Sequence, residues 1–346
     1  MHFLLQMVQR MRRSKRAGLG FVLTMLAFGI LGNALTFYLF DGPSKPDLTV
    51  GDALWYSIIS VTTIGYGDLS ASSFGARLGT IFFIIVIGLS SFSAALGLLV
   101  DSMMQLNFRE LHGLAKIHSE NHILIINFPD ATRVERIIHE IRVDEEYKER
   151  DVVLVTDRID TMPFDLKNLF FVHGSPLQIE TLERAGLRKA SMAIVLCTAN
   201  DDASTDGQVA SVLNMVEHIN PGIKTVAECL DERHEILFRS TNCDSVVYSS
   251  QVVNNLLVQE IQDDGIASLV TTLTQNADFT FYSQALEKPL SGTYQDTAEK
   301  LSKRSSKLIS IMRDGRHHIN CESLESKAGD LLIYAGPKRL KLSEIS

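Results

Sequence analysis

The sequence has no cysteine framework. Its four cysteines, Cys197, Cys229, Cys243 and Cys321, are scattered without CxxC spacing and read as reduced cytosolic thiols. It has no basic surface either: 33 Lys and Arg stand against 41 Asp and Glu, a net charge of −8, which excludes a nucleic-acid footprint. The deficit is unevenly spread. Through Met104 the basic residues Arg10, Arg12, Arg13, Lys15, Arg16, Lys45 and Arg77 outnumber Asp41, Asp47, Asp52, Asp68 and Asp101, so the whole acid excess falls in the remainder. No nucleophile elbow or zinc-protease pattern occurs, and nothing supports catalysis. His317, His318 and Cys321 are metal ligands by type alone, because adjacent histidines on a strand point to opposite faces. A GxGxxG turn is also missing. Where the first soluble strand ends, the chain reads Asn127-Phe128-Pro129-Asp130-Ala131-Thr132; all three glycines are replaced, and Asp130 repels phosphate. These absences weigh against a membrane-tethered, nucleotide-dependent oxidoreductase.

Two long apolar runs are present, from about Gly18 to Phe40 and from about Ala76 to Met104, and each is long enough to span a bilayer. The basic cluster before the first run predicts a cytoplasmic N-terminus, and the run is too long for a signal-peptide core. Asp41–Pro46 breaks the first helix. A short amphipathic run, Gly51–Thr62, follows, with Thr49 or Asp52 as its N-cap. Next comes Thr62-Thr63-Ile64-Gly65-Tyr66-Gly67-Asp68. Non-helical backbone at membrane depth is tolerable only where it is buried in protein or lines a water-filled path. Alternate glycines permit the left-handed angles that turn successive carbonyls to one side.

This stretch resembles the selectivity filter of potassium channels. The resemblance implies that the carbonyls of Thr63, Ile64, Gly65 and Tyr66, with the Thr63 hydroxyl, replace the hydration shell of K⁺. It implies Trp55 and Tyr56 as rings packed behind Tyr66, with Asp68 at the outer mouth. The position where some potassium channels pair that aspartate with a glutamate is Ile59 here. Gly88 matches the inner-helix hinge glycine, although close helix packing through small residues is the alternative. Ser93 and Gly97, one turn apart, are the candidates for lining the intracellular entrance. One chain cannot ring an ion, so the resemblance implies a homotetramer in the lipid bilayer of a prokaryotic inner membrane.

From His122 short apolar runs alternate with helical patterns: His122–Asn127, Asp151–Thr156, Leu169–Val172, Met192–Cys197, Thr225–Glu228 and Ser245–Tyr248. That order predicts a parallel, doubly wound sheet. Within His173–Pro176, Ser175 is expected to cap a helix with Pro176 at its first position and Gln178 closing a capping box. The runs His122–Ile126, His173–Pro176, Leu182–Gly186 and Ala193–Val195 resemble the regulator-of-K⁺-conductance (RCK, or TrkA-type) domain over about His122 to Gly265. A smaller resemblance, to the C-terminal lobe of that family, covers about Ala267 to Gly336. It rests on Leu290–Thr293, Ile311–Gly315 and Ala328–Leu332. The implied architecture is an all-α pore with two spans, pore helix and filter over 1–104, a linker over 105–121, a Rossmann-like α/β lobe with crossover helix over 122–266, and a small α+β lobe over 267–346. Ser250–Gly265 would cross to a neighbouring subunit in a cytosolic ring of eight domains. Additional soluble RCK domains come, in some relatives, from an internal start; the aligned position is His112, with Met103 or Met104 as substitutes.

The ligand is left open between Ca²⁺ and a nucleotide such as NAD, ADP or ATP. Asp157, after the second strand, stands where an acid holds a ribose hydroxyl, or is a solvated strand-end charge. In calcium-gated relatives three carboxylates fall at positions that read Leu196, Glu228 and Leu230 here. Asp201, Asp202 and Asp206 with Glu228 make a different cation site, or a helix-capping cluster.

Overall fold

The computed structural model describes residues 15–276, 279–290 and 292–345; the basic cluster Arg10–Arg13 lies outside them. The chain divides into two compact units, the first ending at Phe108 and the second beginning at Arg109.

The first unit is helical. Helix α1 (Lys15–Asp41) has 27 residues, about 40 Å at 1.5 Å per residue, enough to cross a bilayer. A 3₁₀ turn at Gly42–Ser44 ends it, with Pro43 in its first positions. Helix α2 (Val50–Val61) starts in a capping box in which both expected residues take part: Thr49 Oγ1 accepts from the Asp52 amide at 3.1 Å and Asp52 Oδ2 from the Thr49 amide at 2.9 Å. Helix α3 (Phe74–Leu111) runs 38 residues and is wound as a π-helix over Thr80–Gly88. It extends past the expected end at Met104 and takes in the first part of the expected linker. The rest of that linker is tied to the second unit, where Gly113 O accepts from the His173 amide and from Arg184 Nη1, both at 3.0 Å.

The second unit opens with β1 (Ile123–Ile126), α4 (Ala131–Val143), β2 (Val152–Thr156), β3 (Leu169–His173), α5 (Ile179–Arg184) and β4 (Met192–Val195). It continues through α6 (Asp206–Ile219), β5 (Lys224–Cys229), α7 (Glu235–Phe238) and β6 (Ser245–Tyr248). All six strands lie where the apolar runs predict them. They pair in parallel in the order β3-β2-β1-β4-β5-β6. Side chains alternate faces along a strand, so Leu124 and Ile126 enter one core layer while Ile123 and Ile125 enter the other. Both layers are covered, which explains why β1 is apolar throughout. The predicted cap after β3 is displaced: α5 begins at Ile179 with Gln178 at its N-cap position and no side-chain cap, and Ser175 Oγ accepts only from the Leu177 amide at 3.4 Å. Ser175 and Pro176 therefore make a turn before the helix.

Helices α8 (Ser249–Gln262) and α9 (Ile266–Thr274) have no buried residues. Then β7 (Thr280–Ala285), α10 (Tyr294–Ser302), β8 (Lys307–Arg313), β9 (Arg316–His318), β10 (Leu331–Gly336) and α11 (Leu342–Ile345) build a lobe on an antiparallel sheet ordered β7-β10-β8-β9. Its core is Leu286, Tyr294, Leu301, Ile311, Leu332 and Tyr334. Asp330, fully buried, accepts from Arg313 Nε and Nη2 at 2.7 Å each and from the Tyr294 hydroxyl at 2.5 Å.

Candidate functional site

The loop after α2 is held from behind by one carbonyl. Ile59 O accepts from the amides of Ile64 at 3.1 Å and Gly65 at 3.2 Å. Thr63, Gly65 and Gly67 all have left-handed φ, at 61°, 52° and 80°. Two of these positions are glycine, as anticipated. Thr63 carries the strain of a β-branched residue there, about 1–2 kcal/mol. The loop's side chains are mostly uncovered in the single chain: Ile64 is 57% exposed and Tyr66 67%. Trp55 stacks on Tyr66 with ring centroids 6.0 Å apart and planes 8° from parallel, and its Nε1 donates to Asp68 Oδ2 at 3.0 Å. Tyr56 takes another side. It stacks on Phe37 at 4.3 Å, and its hydroxyl lies 3.3 Å from Thr80 Oγ1. Within the chain, then, Trp55 alone of the two expected rings backs the loop, because successive helical residues point about 100° apart.

The predicted acidic set does not converge. Glu228, at the end of β5, is buried and paired with Arg133 Nη2 at 2.6 Å, and its second oxygen accepts from the Cys197 amide at 3.1 Å. Asp206, fully buried at the start of α6, accepts from the amides of Leu230 at 2.9 Å and Asp231 at 3.1 Å and contacts His234 Nδ1 at 2.9 Å. Burial pushes its carboxyl up, but these hydrogen bonds outweigh that and hold it below the usual carboxylate range. The same burial pushes the neighbouring Cys229 thiol up to about 12. Asp202 caps a 3₁₀ turn through the Ser204 amide at 2.9 Å. Asp201 alone faces open space, in a polar cleft of about 450 Å³ with Asp231 and Glu232. Among the described residues no three His, Cys, Asp or Glu side chains form a metal-holding group. The capping alternative accounts for Asp202; Asp206 instead pins the loop after β5 through the Leu230 and Asp231 amides, and the arginine beside Glu228 already neutralises the carboxylate that a cation would need.

A second cleft, about 350 Å³, opens at the carboxyl ends of the first four strands and is lined by Asn127, Asp157, Arg158, Ser175, Thr198 and Gln208. Strand order reverses between β1 and β4, so this is the crevice where doubly wound folds take ligands. Asn127 adopts a left-handed φ of 75° and its side-chain amide donates to Leu196 O at 2.7 Å, filling the place of the missing first glycine. Asp130 turns away as the N-cap of α4, bonded to the Arg133 amide at 2.8 Å and to Asn200 at 2.7 Å. Asp157 is exposed beside Arg158, whose Nη1 bonds Thr198 O. Sequence patterns give no sign of Arg158 and Arg133, because both find their partners far along the chain.

Family profiles match the two units separately. An ion-channel profile covers residues 20–105, and a calcium-activated potassium channel slowpoke-like RCK domain profile covers residues 118–226. The chain thus joins a segment similar to ion channels to a segment similar to RCK domains. The chain is 24% identical over 303 residues to the calcium-gated potassium channel TvoK of Thermoplasma volcanium, covering 84% of this chain and 83% of that one. It is 24% identical to the putative potassium channel protein YugO of Bacillus subtilis over 63% of this chain and 65% of the other. A solved GsuK channel aligns with 17% identity and a TM-score of 0.47; the present chain spans 56% of that longer one. The resemblances to a channel pore and to an RCK domain stand; the C-terminal lobe lies outside both profiles.

The remaining candidate residues fall as follows. Gly88 closes the π-helical stretch, and a Cβ there would lie 2.8 Å from Val61 Cγ2 and 3.0 Å from Phe83 O. Close packing therefore demands glycine at this point. Ser93 and Gly97 lie one turn apart on α3, and Gly97 has open space where a Cβ would stand. His317 bonds Ser310 at 3.3 Å, while Cys321 is buried in the lobe core.

Proposed function

We propose that the chain is the subunit of a homotetrameric, K⁺-selective channel of a prokaryotic inner membrane, with its N-terminus and RCK domain in the cytoplasm. The observation that carries this is the loop Thr63–Gly67. Left-handed φ recurs at every second residue, Thr63, Gly65 and Gly67, the pattern that supports turning the carbonyls of Thr63, Ile64, Gly65 and Tyr66 to one side, while exposed Ile64 and Tyr66 require neighbours to cover them. Asp68 and Trp55 fix the outer end. Ser93 and Gly97 line the inner entrance, and the π-helical stretch ending at Gly88 is where α3 bends during gating. Reconstituted tetramers should pass K⁺ in planar bilayers, and Gly65→Ala should abolish the current, because a left-handed alanine strains the loop. A wild type that carries no K⁺ current defeats the proposal.

For the gating ligand, a nucleotide is favoured over Ca²⁺. Arg158 offers a cation and Asp157 a ribose acceptor in the same crevice, whereas Glu228 is already neutralised. NAD, ADP and ATP added to the cytosolic face should change open probability, and Arg158→Ala should raise the concentration needed about tenfold. The named relative TvoK is calcium-gated, so Ca²⁺ is the second arm. A ligand moves the equilibrium only through unequal affinity for the open and closed states. Exposed apolar residues on α8, such as Val252, Leu257 and Ile261, support packing of RCK domains against one another. Additional soluble RCK chains starting at Met103 or Met104 would complete a ring of eight.

A further inference from the structure

Asn33 lies within α1, a helix apolar enough to cross the bilayer, yet its side chain is wholly buried and its Nδ2 donates to Ser57 Oγ on α2 at 2.9 Å. Ser57 Oγ donates in turn to Ala53 O at 2.8 Å. The other amide atom, Oδ1, is buried without a protein partner. A buried amide with half its capacity unused is a poor stabiliser inside a membrane span. A leucine, of the same branched shape though larger, would carry no such penalty. What the amide supplies is a fixed height and azimuth of α2 against α1.

That fixing has a short route to the permeation path. Ser57 precedes Ile59 by two residues on the same helix, and Ile59 O holds the amides of Ile64 and Gly65. The carboxylate pair that some potassium channels place at this level is absent, since Ile59 occupies its inner position. We propose that Asn33 is a positioning residue for the filter: through Ser57 it sets the carbonyl of Ile59, and with it the spacing of the Ile64 and Gly65 carbonyl rings. The inference rests on the reading of this loop as a K⁺ filter.

The test uses purified tetramers of the wild type, Asn33→Leu, Ser57→Ala and the double variant, with two readouts. One is heat resistance of the tetramer in KCl against NaCl, which reports ion binding in the filter without requiring an open gate. The other is the reversal potential between K⁺ and Na⁺ solutions. Asn33→Leu should assemble and resist heat in NaCl as the wild type does, lose most of the extra resistance KCl gives, and lower the K⁺/Na⁺ permeability ratio about tenfold, equivalent to ~1.4 kcal/mol. Ser57→Ala should act in the same direction, and the double variant should add nothing beyond Asn33→Leu. A lowered resistance in NaCl with an unchanged permeability ratio would mark a structural pin and overturn the inference. So would Ser57→Ala tetramers indistinguishable from wild type in both readouts, should Asn33→Leu fail to assemble. Wild-type tetramers showing neither a K⁺ effect on stability nor a K⁺ current overturn the filter reading itself, a separate outcome.

Discussion

Asp330 is a charge enclosed by the C-terminal lobe and answered there by a two-pronged arginine and a tyrosine. Hydrogen bonds from Arg313 hold its carboxyl well below the usual carboxylate range, against the opposing push of burial. A depressed folded-state value means that the stabilisation is complete above the unfolded value, about 4, and drains away as pH falls toward the folded one. Thermal unfolding of the purified protein from pH 7 down to pH 3 should therefore lose stability mainly at the acid end. Asp330→Asn should lower stability at neutral pH by about 3 kcal/mol, since Arg313 is left without its partner, and should flatten the acid dependence. The Arg133 and Glu228 pair makes a contrasting prediction. Glu228→Gln should leave any Ca²⁺ dose response unchanged, while Arg133→Ala should lower Tm by an amount equivalent to roughly 1–3 kcal/mol, because it strands a buried carboxylate. Neither pairing was legible in the sequence. The runs Ile311–Gly315 and Ala328–Leu332 marked the lobe, but Arg133 and Glu228 stand 95 residues apart, and nothing local to either announces the other.

Elements are more legible than partners. Six strands fall at their predicted positions; β1 and β2, buried on both faces, each write four apolar residues in a row, a signal carried entirely by neighbouring positions. The cap of α2 is legible for the same reason, its two residues lying three apart. Helix α3 outruns its sequence signal, since its apolar character fades after Met104 although its backbone stays helical through Leu111. Periodicity reports burial, and the described side chains of this stretch are exposed in the chain. Helix α8 shows the converse, a helix whose apolar residues face outward: Ile261 is 86% exposed and Leu257 59%. Ile261→Asp should leave the fold of the subunit intact by circular dichroism yet reduce association of RCK domains in crosslinking. Unaltered crosslinking would remove α8 from the interface.

For the whole molecule, the sequence by itself separates a membrane portion from a soluble one, because the acid excess is confined to the part after Met104 and both apolar spans precede it. The apolar residues exposed along α1 and α3, Phe28, Leu35, Phe82 and Val86 among them, are what lipid or neighbouring subunits would cover. Native mass measurement should find four copies of the 38.4 kDa chain, and shorter chains beginning at Met103 or Met104 in the same particle if the ring holds eight RCK domains. The stacking of Trp55 on Tyr66 carries one more consequence. Trp55 is the only tryptophan in the sequence, so ultraviolet emission excited at the red edge of protein absorption arises beside Tyr66, at what the proposed function makes the mouth of the pore, and nowhere else. Replacing K⁺ by Na⁺ should shift or quench that emission without any label, which makes the unmodified protein its own optical gauge of the filter.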